Sequence, residues 1–200
     1  NVFVDQDVCI GPGSKIFPSV YLWGQTELGS NVTVGPGSIL DNSKVDDEVT
    51  IKAYSYLEDS VIEKAAQVGP YARLRPKTNI GTEAKVGNFV EIKKIVIDSG
   101  AKISHLSYVG DATIGKNTNI GCGFITCNYD GANKHHTKIG KDCFIGSDSQ
   151  MIAPVNVGDN CFIASGSTIN NDLPSGSFAI SRNKQVTKEG MAKKFLKDKS

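Results

Sequence analysis

Long apolar runs are missing from this 200-residue sequence. No stretch could span a bilayer as a helix, and the first residues lack the basic, apolar and small-residue sections of a secretory signal. Charge of one sign is missing too. The chain has 22 Lys and Arg against 21 Asp and Glu, a net charge of +1, so composition points to neither nucleic acid nor a membrane as partner. The five cysteines, Cys9, Cys122, Cys127, Cys143 and Cys161, contain no C-x-x-C pair. An odd, unpaired set argues against a disulfide framework or a structural zinc site and for a reducing, cytoplasmic setting. Most of these cysteines are expected to be small core residues. The first residue is Asn1 rather than Met, so the chain is expected to be part of something longer.

Helical periodicity is also missing, and a period of six stands in its place. Aliphatic residues head hexads at Val4, Ile10, Ile16, Leu22, Leu28 and Val34, and again from Val68 through Leu74, Ile80, Val86 and Ile92. The beat continues at Ile97, Ile103, Val109, Ile114 and Ile120, and later at Ile139, Ile145, Met151, Val157, Ile163 and Ile169. Four places after nearly every head stands a small or β-branched residue, such as Ser14, Thr78, Ala84, Thr118, Cys143 or Ser167. Residues two apart on a strand share a face, so head and fourth follower point into one interior. Glycine after many heads eases the turn. Such hexads predict an all-β parallel β-helix with three short strands per coil, about eighteen residues per turn. A β-sandwich with regular turns is the alternative that this repeat disfavours.

Equivalent positions one coil apart should stack about 5 Å from each other. Arg75 and Lys93 follow heads eighteen places apart, so two like charges are predicted to be neighbours. They repel unless an anion lies between them, and a phosphate suits an Arg fork and a Lys point charge. Another column places Pro70, Asn88, His105, Cys122, Ser147 and Ser165 in one outward ladder, which contains the single histidine of the regular repeat. With a reference pKa of about 6.5, a histidine there can take a proton near neutral pH. The beat fails at "ITCNYDGANKHHTKIG", which predicts a protruding loop over residues 126–138 near the basic pair. His135 and His136 within it are expected to be solvated. Three histidines could also suggest a zinc β-helix such as a γ-class carbonic anhydrase, but two adjacent histidines suit its spaced ligands poorly.

The segments "GPYARLRP", "VGNFVEIKK", "HLSYVGDATIG", "NIGCGFITCNYDGANKHHTKIG", "FIGSDSQMIAPV" and "AISRNKQVTKEG" resemble the acetyltransferase half of the bifunctional bacterial GlmU family. The resemblance covers the whole chain and implies a left-handed β-helix over residues 1–170. A carboxy-terminal arm with a short helix, residues 171–200, would cap the stack. It implies transfer of acetyl from acetyl-CoA to glucosamine 1-phosphate, with His105 as general base. Arg75, Lys93, Tyr108, Asn119, Asn128, Tyr129 and Lys134 would then contact the sugar. Cys122, Asn128, Tyr129, Ser147, Ser165 and Arg182 would contact acetyl-CoA. Cys122 and Ser165 stand where the family often carries alanine, and Glu91 is a further candidate for orienting His105 or the amine. The family forms homotrimers with sites between subunits, and its uridylyltransferase half has a glycine-rich loop that this chain lacks. No uridylyl transfer is therefore expected here, nor the magnesium that belongs to that half. A different hexapeptide acyltransferase, or a trimerising scaffold without chemistry, remain as alternatives.

Overall fold

An apolar side chain at every sixth position can be buried only if the chain turns after each short strand. In the structure, a computed structural model that describes residues 1–196, strands of 2 to 7 residues do so. They form a parallel β-solenoid of about 10 turns, left-handed in its winding. Three faces follow one another around each coil. Face 1 stacks Leu57, Leu74, Ile92 and Val109. Face 2 stacks Ile62, Ile80, Ile97, Ile114 and Ile139. Face 3 stacks Val68, Val86, Ile103, Ile120, Ile145 and Ile163. All these heads are buried, whereas Val4 and Ile10 face the open lower end of the stack and are exposed.

The small fourth followers have a second task. A hydroxyl placed inside a corner can satisfy a carbonyl that the strand ladders leave unpaired. Thr78 Oγ1 donates to the Arg75 carbonyl at 2.7 Å and Thr118 Oγ1 to the Gly140 carbonyl at 2.7 Å. The corners themselves need left-handed backbone. Between faces 3 and 1 it is adopted by Tyr54, Tyr71, Phe89 and Leu106, and between faces 1 and 2 by Asn42, Asp59, Lys77, Lys94 and Asp111. Glycine at such corners is optional, but Gly87 on face 3 is not, because a Cβ there would lie 1.8 Å from the Ser104 carbonyl oxygen.

Four expectations need correction. The beat survives the first part of the irregular stretch: Ile125–Cys127 pairs with Gln150–Ile152, and buried Thr126 takes the head position. Its hydroxyl is bound to Gly110 N at 2.8 Å and Gly110 O at 3.0 Å, so a polar head is tolerated and was invisible to an aliphatic count. Thr137–Ile139 is again strand, which shortens the loop from 126–138 to 128–136. The solenoid also runs beyond residue 170, since Phe178–Ala179 pairs with Phe162–Ile163. The expected helix is a single 3-10 turn, Met191–Lys194, with no buried residue. It therefore does not cap the stack; Leu173 and Ala179 pack against the core instead, and the arm's residues 197–200 lie outside the described ones. Of the cysteines only Cys143 and Cys161 are buried.

Phe124 is the largest fully buried side chain and lies two residues before Thr126. Phe124→Ala should cost about 3–5 kcal/mol of stability, read as a lower melting temperature; an unchanged melt would show that the interior there is not close-packed.

Candidate active site

Residues that follow a head on face 1 point outward at the same height on successive coils. Arg75 N donates to the Ile92 carbonyl at 2.9 Å, which sets Arg75 beside Lys93 as the stacking predicts. Glu91 reaches Arg75, Oε1 to Nη1 3.1 Å, so it braces the guanidinium and does not orient His105. Lys134 of the loop lies against Lys93. Its side chain and charge, then the charge of Arg75, hold the Lys93 ammonium below the usual lysine range. Three cations in this small space are destabilising without a counter-ion and suited to an anion.

The loop that delivers Lys134 is built by its own sequence. Asp130 begins an Asx turn: Oδ1 accepts from Ala132 N at 2.8 Å and Asn133 N at 2.7 Å, and Gly131 takes the positive φ of 100°. The turn closes a miniature hairpin with an antiparallel bridge between Tyr129 and Lys134. His135 Nε2 lies 2.6 Å from Asp130 Oδ2, and these contacts hold the Asp130 carboxyl well below the usual carboxylate range, the Asn133 amide foremost. His136 Nε2 lies 3.0 Å from Thr113 Oγ1. Neither histidine is thus merely solvated, because both staple the loop. His105, His135 and His136 each engage a different non-histidine partner.

Gly110 follows Val109 in the same outward row as Arg75 and Lys93. A Cβ on it would lie 2.5 Å from Tyr108 Oη and 3.0 Å from Asn128 Nδ2. The missing side chain is therefore what lets Tyr108 and Asn128 approach the basic row. Asn128 is buried and its Nδ2 donates to Asp111 Oδ2 at 2.6 Å. Tyr129 is exposed, and its hydroxyl donates to the Gly131 carbonyl at 2.5 Å.

His105 stands at the end of face 3, just before the corner that leads to Tyr108. Its Nδ1 lies 2.7 Å from Asn88 Oδ1. A carbonyl oxygen only accepts, so Nδ1 carries the hydrogen, and in the neutral imidazole Nε2 then holds the lone pair. Asn88 was visible in the outward ladder as a neighbour one coil below, but its role depends on side-chain geometry. Above His105, Cys122, Ser147 and Ser165 continue the ladder along face 3: Asp148 N donates to the Cys122 carbonyl at 2.7 Å and Gly166 N to the Ser147 carbonyl at 2.8 Å. Arg182 crosses to the Ser165 carbonyl and lines an open hollow with Gly166, Thr168 and Ser181. Beside this ladder Phe144, Phe162 and Phe178 stack with ring centroids 4.9 and 5.7 Å apart. Asn119 is separate. It lies at the start of its face 3 strand, in the row that continues into Phe144, and does not join the cations of face 1 within one chain.

Known proteins resemble this chain in sequence and in fold. Residues 136–171 match the family described as bacterial transferase hexapeptide (six repeats), and residues 56–129 match the GMPPB C-terminal domain. Bifunctional protein GlmU of Geotalea uraniireducens is 50% identical over 190 residues, 95% of this chain and 42% of the relative. That of Staphylococcus haemolyticus is 50% identical over 194 residues, 97% of this chain and 43% of the relative. Among solved structures, UDP-N-acetylglucosamine acyltransferase from Arabidopsis has a TM-score of 0.53 at 16% identity, covering 90% of this chain and 69% of that one. The Campylobacter jejuni enzyme of the same name has a TM-score of 0.50 at 17% identity, covering 98% and 77%. The chain is thus a hexapeptide-repeat β-helix protein, with the fold of these acyltransferases. Within that class it matches the carboxy-terminal acetyltransferase domain of GlmU proteins, and it spans about two-fifths of the length of the curated relatives it matches.

Lys134 is the largest cause of the lowered Lys93 pKa. Lys134→Met should therefore move the Lys93 titration to higher pH, followed by NMR of isotope-labelled lysine side chains. A titration that does not move would place Lys134 away from Lys93.

Proposed function

We propose that this chain transfers the acetyl group of acetyl-CoA to the amine of glucosamine 1-phosphate, forming N-acetylglucosamine 1-phosphate and CoA. The observation that carries this reading is the meeting of Arg75, Lys93 and Lys134 around the corner from a histidine held as a base. A scaffold without chemistry has no need for three cations pressed together or for a loop that brings the third. The half identity to proteins named GlmU supports the particular substrates.

In this mechanism Arg75 and Lys93 take the sugar phosphate, with Lys134 closing over it. Tyr108, Asn119, Asn128 and Tyr129 contact the sugar. Acetyl-CoA lies along the ladder of Cys122, Ser147 and Ser165, with Arg182 near its phosphates and Asn128 and Tyr129 near its acetyl end. Small side chains flanked by stacked phenylalanines suit a long, partly apolar thioester. The neutral amine attacks the thioester carbonyl carbon and a C–N bond forms, while His105 Nε2 takes the amine proton. The C–S bond then breaks, and the departing CoA sulfur takes up the proton from His105. Asn119 lies on a face remote from the cations, and this favours sites completed by a neighbouring copy, as a closed homotrimer allows. We place the reaction in the cytoplasm, in the supply of UDP-N-acetylglucosamine for cell-wall precursors. In this reading it uses no metal, and neither nucleic acid nor a membrane is a partner.

Release of free thiol from acetyl-CoA, measured with a panel of amino sugars, tests the reading. Glucosamine 1-phosphate should be the preferred acceptor, and His105→Ala should lower kcat by about 10²–10⁴-fold. Preference for an unphosphorylated sugar, or full activity in the variant, would overturn it. Arg75→Ala should raise the KM for the sugar phosphate by about tenfold or more and leave that for acetyl-CoA near the parent value.

A further inference from the structure

Asp111 is a buried carboxylate that the mechanism above does not use. It occupies the corner between faces 1 and 2, where Asn42, Asp59, Lys77 and Lys94 of the coils below adopt the same left-handed backbone and are exposed. Asp111 alone among these is covered, with 3% of its surface exposed. Asn128 of the loop and Lys94 of the coil below both reach it: Asn128 Nδ2 donates to Oδ2 at 2.6 Å, and Lys94 Nζ lies 3.1 Å from Oδ1. Burial pushes the carboxyl up, but the hydrogen bonds from Lys94 and Asn128, with the charges of Lys94 and Lys134, outweigh it and hold the group ionised.

We infer that Asp111 is a positioning residue for the anion site: its carboxylate anchors the 128–136 loop through the Asn128 amide and thereby sets Lys134 against Lys93. An ionised carboxylate can only accept, so Asn128 must turn its Nδ2 toward Asp111. Its Oδ1 is then directed away, as an acceptor for a sugar hydroxyl or amine. The hold extends along the loop, because the Asn128 carbonyl accepts from His135 N at 2.8 Å and the Tyr129–Lys134 bridge follows directly. Fixing one amide therefore fixes the place of a lysine six residues later. The charge matters as well as the hydrogen bond, since Asp111 is the carboxylate that both Lys94 and Lys134 approach, between the loop and the basic row. Its reach is to substrate through Asn128 and Lys134 and not by direct contact.

The role in substrate positioning rests on the sugar-phosphate reading, but the anchoring does not, so the test has an arm for each. Asp111→Asn keeps the side-chain shape and tolerates the corner backbone. Without substrates, trypsin should cut after Lys134 about tenfold faster in this variant than in the parent, the scale expected for one lost charged hydrogen bond. In steady-state assays the KM for glucosamine 1-phosphate should rise by a similar factor, with a smaller change in kcat. The double variant with Asn128→Ala should be impaired by less than the product of the two single effects, because the two residues share one contact. Parental cleavage and KM, or effects that multiply in the double variant, would overturn the inference. If Asp111→Asn does not fold, Asn128→Ala alone must show the faster cleavage, and parental cleavage there overturns the anchor. Faster cleavage in a protein whose parent does not acetylate sugar phosphates would uphold the anchor and remove the substrate assignment.

Discussion

The hydrogen bonds between one coil and the next are the constraint on which everything else in this molecule depends. Each strand is too short to be stable by itself, and its amides are satisfied only when the chain returns one circuit later in the same register. That return sets the column spacing near 4.8 Å and places Leu74, Ile92 and Val109 above one another. It also forces a sharp corner after every strand. Corners such as Tyr71, Phe89 and Lys94 hold left-handed backbone at a cost of about 1–2 kcal/mol each. The stack offsets that cost with a continuous aliphatic interior and with hydroxyls, such as that of Thr78, aimed at corner carbonyls.

A solenoid wall built in this way is nearly flat, so it makes poor pockets but good columns. Both parts of the candidate site use columns. On face 1, stacking presses Arg75 against Lys93 and leaves room at Gly110 for Tyr108 and Asn128. On face 3, it lines up His105, Cys122, Ser147 and Ser165 beside the phenylalanine row. The depth that the wall lacks comes from the hairpin between Asn128 and His136, which folds back over face 1 because Asp130 staples its own turn. Electrostatic repulsion among Arg75, Lys93 and Lys134 is tolerable only because Glu91 and Asp111 lie close by. An arriving phosphate would find its partners already gathered.

Much of this was legible in the chain itself, but unevenly. The Arg75 and Lys93 pair could be found by counting eighteen places, because side chains on a stack inherit their neighbours from the repeat. The same counting put Asn88 below His105 without revealing that its amide oxygen sets the imidazole tautomer. Counting failed at Thr126, which sits in a head position with a hydroxyl instead of an aliphatic group. It failed again past residue 170, where Leu173 and Ala179 close one more coil with weak apolar signals. Asp111 carried no mark in the sequence, because it became unusual only when Asn128 of the loop and Lys94 of the coil below reached it.

The sequence by itself determined the coil: period, faces, interior and the height of each side chain follow from local spacing, because parallel stacking converts distance along the chain into position in space. Tertiary structure alone decided what the loop touches. The contact of Asn128 with Asp111 spans 17 residues, the length of one coil here, but those of Lys134 with Lys93 and of His136 with Thr113 join residues whose separations obey no repeat. They are selected by the balance of charge and hydrogen bonds at the surface, and a periodic pattern holds no information about that balance.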